Sequence, residues 1–166
     1  NRRTVISSLI PPNVFAIHRA PYLLFPKGTS NDITFVLGVL SSIPLDWWAR
    51  RFVESNVAHF ILNSFPIPCP HSENVLRKRV IELAGRLACV DERFADWAEE
   101  IGVKYGLLPP KEKNDMIHEL DAVVAHLYGL SEEQLTHIFE TFHIGWDYQD
   151  RLDDTLEYFN QWNQKL

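Results

Sequence analysis

The clearest pattern along the chain is a heptad spacing of apolar residues in its second half. These residues recur at alternating steps of four and three positions, as Leu76, Val80, Leu83, Leu87, Val90, Phe94, Trp97 and Ile101. Such a seam is typical of a helix that packs along a single partner helix. It predicts one long helix from a cap at Ser72 to a stop at Gly102, about 43 Å long from the rise per residue.

Three further helices are predicted after this one. A matching apolar stripe gives the long helix its partner, through Met116, Leu120, Val123 and Leu127. Residues 131–134, Ser-Glu-Glu-Gln, form a capping box that predicts a helix through about Phe142. A last amphipathic helix, ending near Trp162, carries Leu152, Leu156 and Phe159. Residues 71–166 are therefore predicted to form an all-α bundle.

The first part of the chain has a mixed pattern. Residues 4–10 are β-branched and apolar, and residues 14–25 are apolar with a proline inside, so both predict short strands. Ser30 or Asn31 can cap a helix that runs through Leu40. Pro44 marks the start of a second helix, which runs to about Glu54.

A boundary between two parts is predicted near residue 70. Residues 60–62, Phe-Ile-Leu, resemble a short strand. Three prolines then alternate with other residues and exclude hydrogen-bonded structure, at Pro66, Pro68 and Pro70. The predicted fold class is α+β, with a small strand-containing part over residues 1–70 and the helical bundle over residues 71–166.

The charge changes sign at the same boundary. The chain has a net charge of −6, with 16 basic and 22 acidic residues. Residues 1–70 contain six basic and three acidic residues, a net charge of +3, so the remaining 96 residues have a net charge of −9. A phosphate backbone is attracted to the first part and repelled by the second. Any contact with nucleic acid is therefore expected before residue 70.

Neither an enzymatic motif nor a metal motif is complete in this sequence. The glycine-rich turn that binds S-adenosylmethionine is absent, and residues 10–13, Ile-Pro-Pro-Asn, lack the polar and aromatic groups of a base-flipping methyltransferase loop. His118 begins a zinc-protease pattern, but position 122 is alanine. Cys69, His71 and Cys89 are too far apart on the predicted helix to make a zinc site. We expect no catalytic residue, no metal and no cofactor in this chain.

The remaining composition fits a cytoplasmic fragment. Two cysteines are too few for a disulfide scaffold, which favours a reducing cytoplasm. No apolar run has the length of a membrane span. The sequence starts at Asn1 without an initiator methionine, so we expect it to be a fragment of a longer protein.

Several segments together resemble a known family. They are Arg-Thr at 3–4, Ser-Leu-Ile-Pro-Pro at 8–12, the Leu-Gly-Val-Leu-Ser-Ser helix that begins at 37, and Ile-Leu-Asn-Ser-Phe-Pro-Ile-Pro at 61–68. The helix at 119–130, Glu-Leu-Asp-Ala-Val-Val-Ala-His-Leu-Tyr-Gly-Leu, follows them. In this order they resemble the target-recognition region and helical spacer of type IIG restriction–modification DNA methyltransferases and related phage-defence methylases. The resemblance covers nearly the whole chain.

The resemblance implies a division of labour within a longer protein. A preceding catalytic domain would bind S-adenosylmethionine and methylate adenine at N6, with an endonuclease domain as a further option. This chain would contribute DNA recognition through residues 1–70 and would pack against the methyltransferase core. Its candidate DNA-binding residues are Arg2, Arg3, Thr4, His18, Arg19 and Lys27, followed by Arg50 and Arg51.

Alternatives stay open for these residues and for the chain. Arg50 and Arg51 share a helix with Asp46 and Glu54 and can form local salt bridges with them. Trp47 and Trp48 fit core or interface packing better than base stacking. As a whole, the chain could instead be a helical protein-interaction module that packs on the core or another subunit without touching DNA. An independent hydrolase is a weaker alternative, because no group of residues supports it.

Overall fold

A computed structural model of the chain describes residues 3–14, 22–53 and 57–166. Within these ranges all regular secondary structure is helical. The order of the elements is α1 (Ser30–Leu40), α2 (Ile43–Ala49), α3 (His59–Leu62), α4 (Val75–Ala88), a 3-10 turn (Glu92–Phe94), α5 (Ala95–Ile101), α6 (Pro110–Leu127), α7 (Glu132–Phe142) and α8 (Gln149–Asn163). The helical bundle predicted for the second part is compatible with this architecture.

The strand-containing first part of the predicted α+β fold is wrong for the described residues. Residues 5–10 have no regular secondary structure, and Val5 is buried against the helices. The backbone N–H groups of Thr4 and Val5 donate to the Asp46 carboxylate instead of to a neighbouring strand. Of the second predicted strand segment, residues 15–21 lie outside the described ranges.

Residues 60–62 are also not a strand, because they lie in helix α3. The carbonyl oxygen of Ala58 accepts bonds from the N–H groups of Ile61 and Leu62, both at 3.0 Å. With only three apolar residues, the two-residue repeat of a strand cannot be distinguished from the 3.6-residue repeat of a helix. The proline segment after them, residues 65–71, has no regular structure, as predicted.

The two helices predicted in the first part are confirmed, with shifted ends. Helix α1 is capped by Thr29, whose hydroxyl accepts from the Asp32 N–H while the Asp32 carboxylate accepts from the Thr29 N–H. This capping box begins the helix one residue earlier than a cap at Ser30 would. Helix α2 has Pro44 in its first turn and ends at Ala49.

The single long helix predicted by the heptad seam is wrong, because the chain breaks after Ala88. Cys89 leaves helical geometry with a ψ of 74°, and the Asp91 carboxylate caps the following turn by accepting from the Arg93 N–H at 3.0 Å. A β-carbon on Gly85 would come within 2.3 Å of Ile101 Cδ1. In a continuous helix these positions would lie about 24 Å apart. Helix α5 therefore folds back against α4.

The main core forms where α1, α4 and α6 meet. It includes Phe35 and Val39 from α1, Val80 and Leu83 from α4, and Val123 from α6. Residues on both sides of position 70 thus share one cluster, and the predicted boundary there stays a prediction. A second cluster joins α6, α7 and α8, through Ala122, Ala125, Leu135, Ile138, Phe139, Phe142, Leu152 and Phe159.

Helix α7 matches its predicted start and end, and α8 ends close to its predicted end. The Ser131 hydroxyl accepts from the Gln134 N–H, and the Gln134 side-chain oxygen accepts from the Ser131 N–H, which confirms the capping box. Helix α7 ends at Phe142 and α8 at Asn163. In the described ranges, none of the helices combines the length and the apolar character that crossing a membrane requires.

Helix α1 packs closely on α4 at Gly38, where there is no room for a larger side chain. A β-carbon on Gly38 would lie 2.5 Å from Val80 Cγ1 and 3.0 Å from Ala84 Cβ. Gly38→Ala is expected to lower the free energy of unfolding by about 1–3 kcal/mol through overpacking, against a helix-propensity gain of about 1 kcal/mol. Urea unfolding followed by circular dichroism measures this change. Asn114→Ala on the exposed face of α6 is the control, and equal stabilisation of both variants would contradict the prediction.

Acidification should weaken the packing of α6 on α8. The side chain of His118 is 13% exposed, and its Nδ1 lies 3.1 Å from Asp154 Oδ2. Burial, with a smaller effect of Arg151, lowers the pKa of His118 below its usual value of 6.5. The folded chain therefore binds fewer protons than the unfolded chain. This contribution to the free energy of unfolding is fully present above the pKa that His118 has in the unfolded chain. It is lost as the pH falls through the lower pKa that His118 has in the folded chain.

Unfolding midpoints in urea at about pH 7.5 and about pH 5 measure this contribution. We expect the wild type to lose more stability on acidification than His118→Gln, which cannot be protonated. His143→Gln, at an exposed position, serves as the control and should keep the wild-type response. Identical pH responses of wild type and His118→Gln would show that His118 is not responsible.

Candidate nucleic-acid interface

Helix α2 carries a carboxylate on its buried side. The helix buries Ile43, Leu45 and Ala49 against the core, and the carboxylate of Asp46 is 0% exposed. A carboxylate without water needs hydrogen-bond donors and a positive charge from the protein. The side chains and backbone groups that supply them define the candidate site.

Three consecutive residues of the N-terminal segment bind Asp46. The Thr4 N–H lies 3.0 Å from Oδ1 and 3.2 Å from Oδ2, and the Val5 N–H donates to Oδ1 at 3.3 Å. Arg3 forms an ion pair with Oδ2 through its Nε, and its Nη2 donates to the Ser42 carbonyl oxygen at 3.2 Å. Asp46 thereby fixes the N-terminal segment on α2.

Arg50 approaches the same carboxylate from the end of α2. Its Nε lies 3.9 Å from Asp46 Oδ1, and its guanidinium carbon lies 4.2 Å from the centre of the Phe142 ring. The local salt bridge considered for Arg50 in the sequence is therefore present. Arg3 and Arg50 therefore both approach the buried Asp46 carboxylate.

Arg51 has a different environment from Arg50. It is exposed, and its guanidinium carbon lies 4.0 Å from the ring centre of Trp47. The Trp47 Nε1 donates to the Thr141 hydroxyl of α7 at 2.8 Å, which fixes the indole under the guanidinium. Trp48 packs against Phe65 in the partly buried shell of the core, so both tryptophans have packing roles.

A second buried carboxylate fixes the start of α2. Asp121 is 1% exposed, and it accepts from the Ile43 N–H at 2.8 Å and from Arg151 Nη2 at 2.5 Å. This arrangement ties α2 to α6 and α8. Arg151 is the ion-pair partner of Asp121 and supplies the positive charge that this buried carboxylate needs.

The structure brings together four of the eight predicted DNA-binding residues. Arg3, Thr4, Arg50 and Arg51 lie around α2, and Lys27 is exposed in the turn before α1. The other three lie outside the described ranges, namely Arg2, His18 and Arg19. Their part in DNA binding stays a prediction, as it does for the five described residues.

Sequence reasoning missed the importance of Asp46. It treated this residue only as a local salt-bridge partner for the arginines that follow it. One signal was available, because an aspartate between Leu45 and Trp47 in an apolar helix is expected to be buried and paired. Its partners in the N-terminal segment lie 41 and 42 positions away, and no local pattern indicates a contact at that separation.

The two cysteines have different environments. Cys69 is exposed, whereas Cys89 is buried, and burial raises the pKa of the Cys89 thiol. Over the described ranges, no group of three or more His, Cys, Asp or Glu side chains could hold a metal ion. The polar groups around α2 are thus the arrangement on which a functional assignment can be argued.

Removing the negative charge of Asp46 should destabilise the fold. In Asp46→Asn the amide can accept from only some of the donors, and Arg3 loses its ion pair. We expect a loss of about 1–3 kcal/mol in the free energy of unfolding, since buried donors are left unsatisfied. Asp153→Asn changes the same charge at an exposed position of α8 and should unfold like the wild type. Equal unfolding midpoints in urea for both variants would refute this role of Asp46.

The chain matches no protein-family model, no curated protein and no solved structure. The geometry around Asp46 and the charge distribution of the chain are therefore the features that bear on its function.

Proposed function

We propose that this chain is the non-catalytic DNA-recognition and helical spacer part of a restriction–modification DNA methyltransferase. In this role residues 1–70 hold duplex DNA, and residues 71–166 pack against the methyltransferase core of the same protein. The core, outside this sequence, would bind S-adenosylmethionine and methylate adenine at N6. The chain itself would position the duplex and perform no chemistry.

The observation that carries this proposal is the convergence of basic side chains on α2. Arg3 comes from the N-terminal segment and meets Arg50 at the buried Asp46 carboxylate, and Arg51 is exposed one residue further on. Many acidic side chains are instead exposed on α5, α7 and α8, among them Asp96, Glu99, Glu100, Glu132, Glu133, Glu140, Asp150, Asp153 and Asp154. A duplex would approach this chain at α2, where Arg51 is exposed.

Basic groups in this position would act mainly on the DNA backbone. Contacts to phosphates fix the register of a protein on the duplex but carry no sequence information directly. Trp47 holds the Arg51 guanidinium on its ring, which lowers the entropic cost of presenting that side chain to a phosphate. Base-specific contacts would then fall to other residues of the recognition region.

The helical part would serve as the rigid support for this surface. Helices α4 and α6 share the main hydrophobic cluster with α1. Asp121 on α6 also bonds to the first N–H of α2. The orientation of the α2 surface is therefore fixed relative to the bundle, as a spacer requires.

A second candidate function is a protein-interaction module that does not touch DNA. Two observations favour it. Arg3 and Arg50 both face Asp46 within the fold, and large apolar side chains are exposed on the N-terminal segment, with Ile6 at 72% and Leu24 at 75%. In this interpretation a protein surface covers those side chains.

Duplex binding by the exposed basic residues tests the first function. Fluorescence anisotropy of a labelled mixed-sequence duplex would be recorded at several salt concentrations with the wild type and with Lys27→Ala/Arg51→Ala. Each lost phosphate contact should reduce the slope of log affinity against log salt by about 0.9. We therefore expect weaker binding and a shallower slope for the double variant.

The matched control is Lys111→Ala/Lys113→Ala, which removes the same charge from the exposed start of α6. It should leave the salt slope unchanged. Absence of binding by the wild type at every salt concentration would reject DNA recognition by this chain and favour the interaction module. Equal effects of the two double variants would indicate only nonspecific attraction.

A further inference from the structure

We propose that Trp47 and Thr141 are positioning residues, which hold the Arg51 guanidinium in place for a backbone phosphate of duplex DNA. The inference rests on the proposed function and adds to it a contribution from α7, a helix of the acidic second part of the chain. Its physical basis is a continuous series of contacts that begins at the backbone of α7 and ends at the exposed guanidinium.

Three contacts link α7 to Arg51. The Thr141 hydroxyl donates to the His137 carbonyl oxygen at 2.7 Å, and it accepts from Trp47 Nε1 at 2.8 Å. The guanidinium carbon of Arg51 lies over the Trp47 ring, 4.0 Å from its centre. A hydroxyl has one hydrogen to donate, and an indole N–H can only donate. Because the hydroxyl hydrogen is directed at His137, a lone pair of the Thr141 oxygen is left for the indole.

The Trp47 ring is held by packing as well as by this hydrogen bond. It is partly buried against the hydrophobic cluster that joins α6, α7 and α8. The His137 ring lies edge-on to it, with ring centres 6.4 Å apart and an interplanar angle of 73°. A large ring that is both packed and hydrogen-bonded has few orientations left to it. Helix α7 therefore sets the direction in which the ring presents its face to Arg51.

Arg51 can contact a phosphate while it remains on the ring. The residue is exposed, and the ring occupies only one side of its guanidinium. That group has five N–H donors in one plane, and two of them can contact two phosphate oxygens at once. The ring attracts the cation through its negative face and so orders a long side chain before any ligand binds. A side chain ordered in advance loses less conformational entropy when the phosphate binds.

The competing explanation is that the bond between Trp47 and Thr141 only stabilises the fold, while Arg51 acts as a positive charge of no particular orientation. Under that explanation, Thr141→Val changes the stability of the chain but not the duplex affinity of the folded protein. Under our proposal, the same substitution lowers duplex affinity, and it does so only when Arg51 is present. Because Thr141→Val changes no charge, general electrostatic attraction to DNA cannot produce that result.

The experiment is a double-mutant cycle with the wild type, Thr141→Val, Arg51→Ala and the variant that combines both changes. Anisotropy titration of the labelled mixed-sequence duplex gives each affinity, after circular dichroism at the titration temperature has established that each variant is folded. We expect Thr141→Val to bind about threefold more weakly than the wild type, because the duplex must then order the Arg51 side chain. In the Arg51→Ala background, Thr141→Val should have no effect. An equal effect in both backgrounds, or no effect in either, would overturn the proposal.

Two further threonine variants separate the hydroxyl group from other effects of the substitution. Thr136→Val makes the same chemical change elsewhere on α7 and should bind like the wild type. Thr141→Ser keeps the hydroxyl and should restore the affinity that Thr141→Val loses. Failure of this rescue, or an equal loss in Thr136→Val, would show that the bond to Trp47 is not the cause.

Trp47→Phe provides an independent test, which also decides the question if Thr141→Val does not fold. It keeps an aromatic ring but removes the Nε1 donor, so we expect a similar loss of affinity that again disappears in the Arg51→Ala background. If the wild type itself does not bind the duplex, the proposed function fails and this inference fails with it. If the wild type binds and Arg51→Ala weakens binding, but the position 47 and 141 variants bind like the wild type, only the positioning role is wrong.

Discussion

Burial of charged carboxylates is the constraint on which the arrangement of the helices depends. Asp46 and Asp121 are at most 1% exposed, and Glu119 is 8% exposed. A buried carboxylate is tolerated only with a cationic partner and hydrogen-bond donors around it. In each of these three cases at least one partner comes from another element of the fold, so every carboxylate joins parts of the chain that are distant in sequence.

Glu119 illustrates how such a group connects the bundle. It receives two hydrogen bonds from Arg79 of α4, at 2.8 and 2.6 Å, and one from Trp162 Nε1 of α8, at 3.1 Å. The hydrogen bonds to Glu119 raise the pKa of Arg79 above its usual value. Hydrophobic contacts bring α4, α6 and α8 together, and Glu119 selects the register in which they meet.

Local signals predicted the helices better than the contacts among them. The capping box at Ser131 and the glycine after α6 fixed those helix ends within a residue or so, because both act through bonds between near neighbours. The break at Cys89 was not predictable from the heptad seam, since an apolar stripe looks the same whether it faces one partner or folds back on itself. Likewise, the basic residues of the site could be found from charge, but their meeting at Asp46 depends on tertiary contacts.

The break between α4 and α5 sets the reach of the helical part. A continuous helix over this seam would act as a long rigid arm, whereas α4 has 14 residues and spans only about 21 Å. Because α5 returns along α4, the added residues thicken the bundle and do not lengthen it. The helical part is therefore shorter and thicker than a bundle built on one continuous helix over this seam would be.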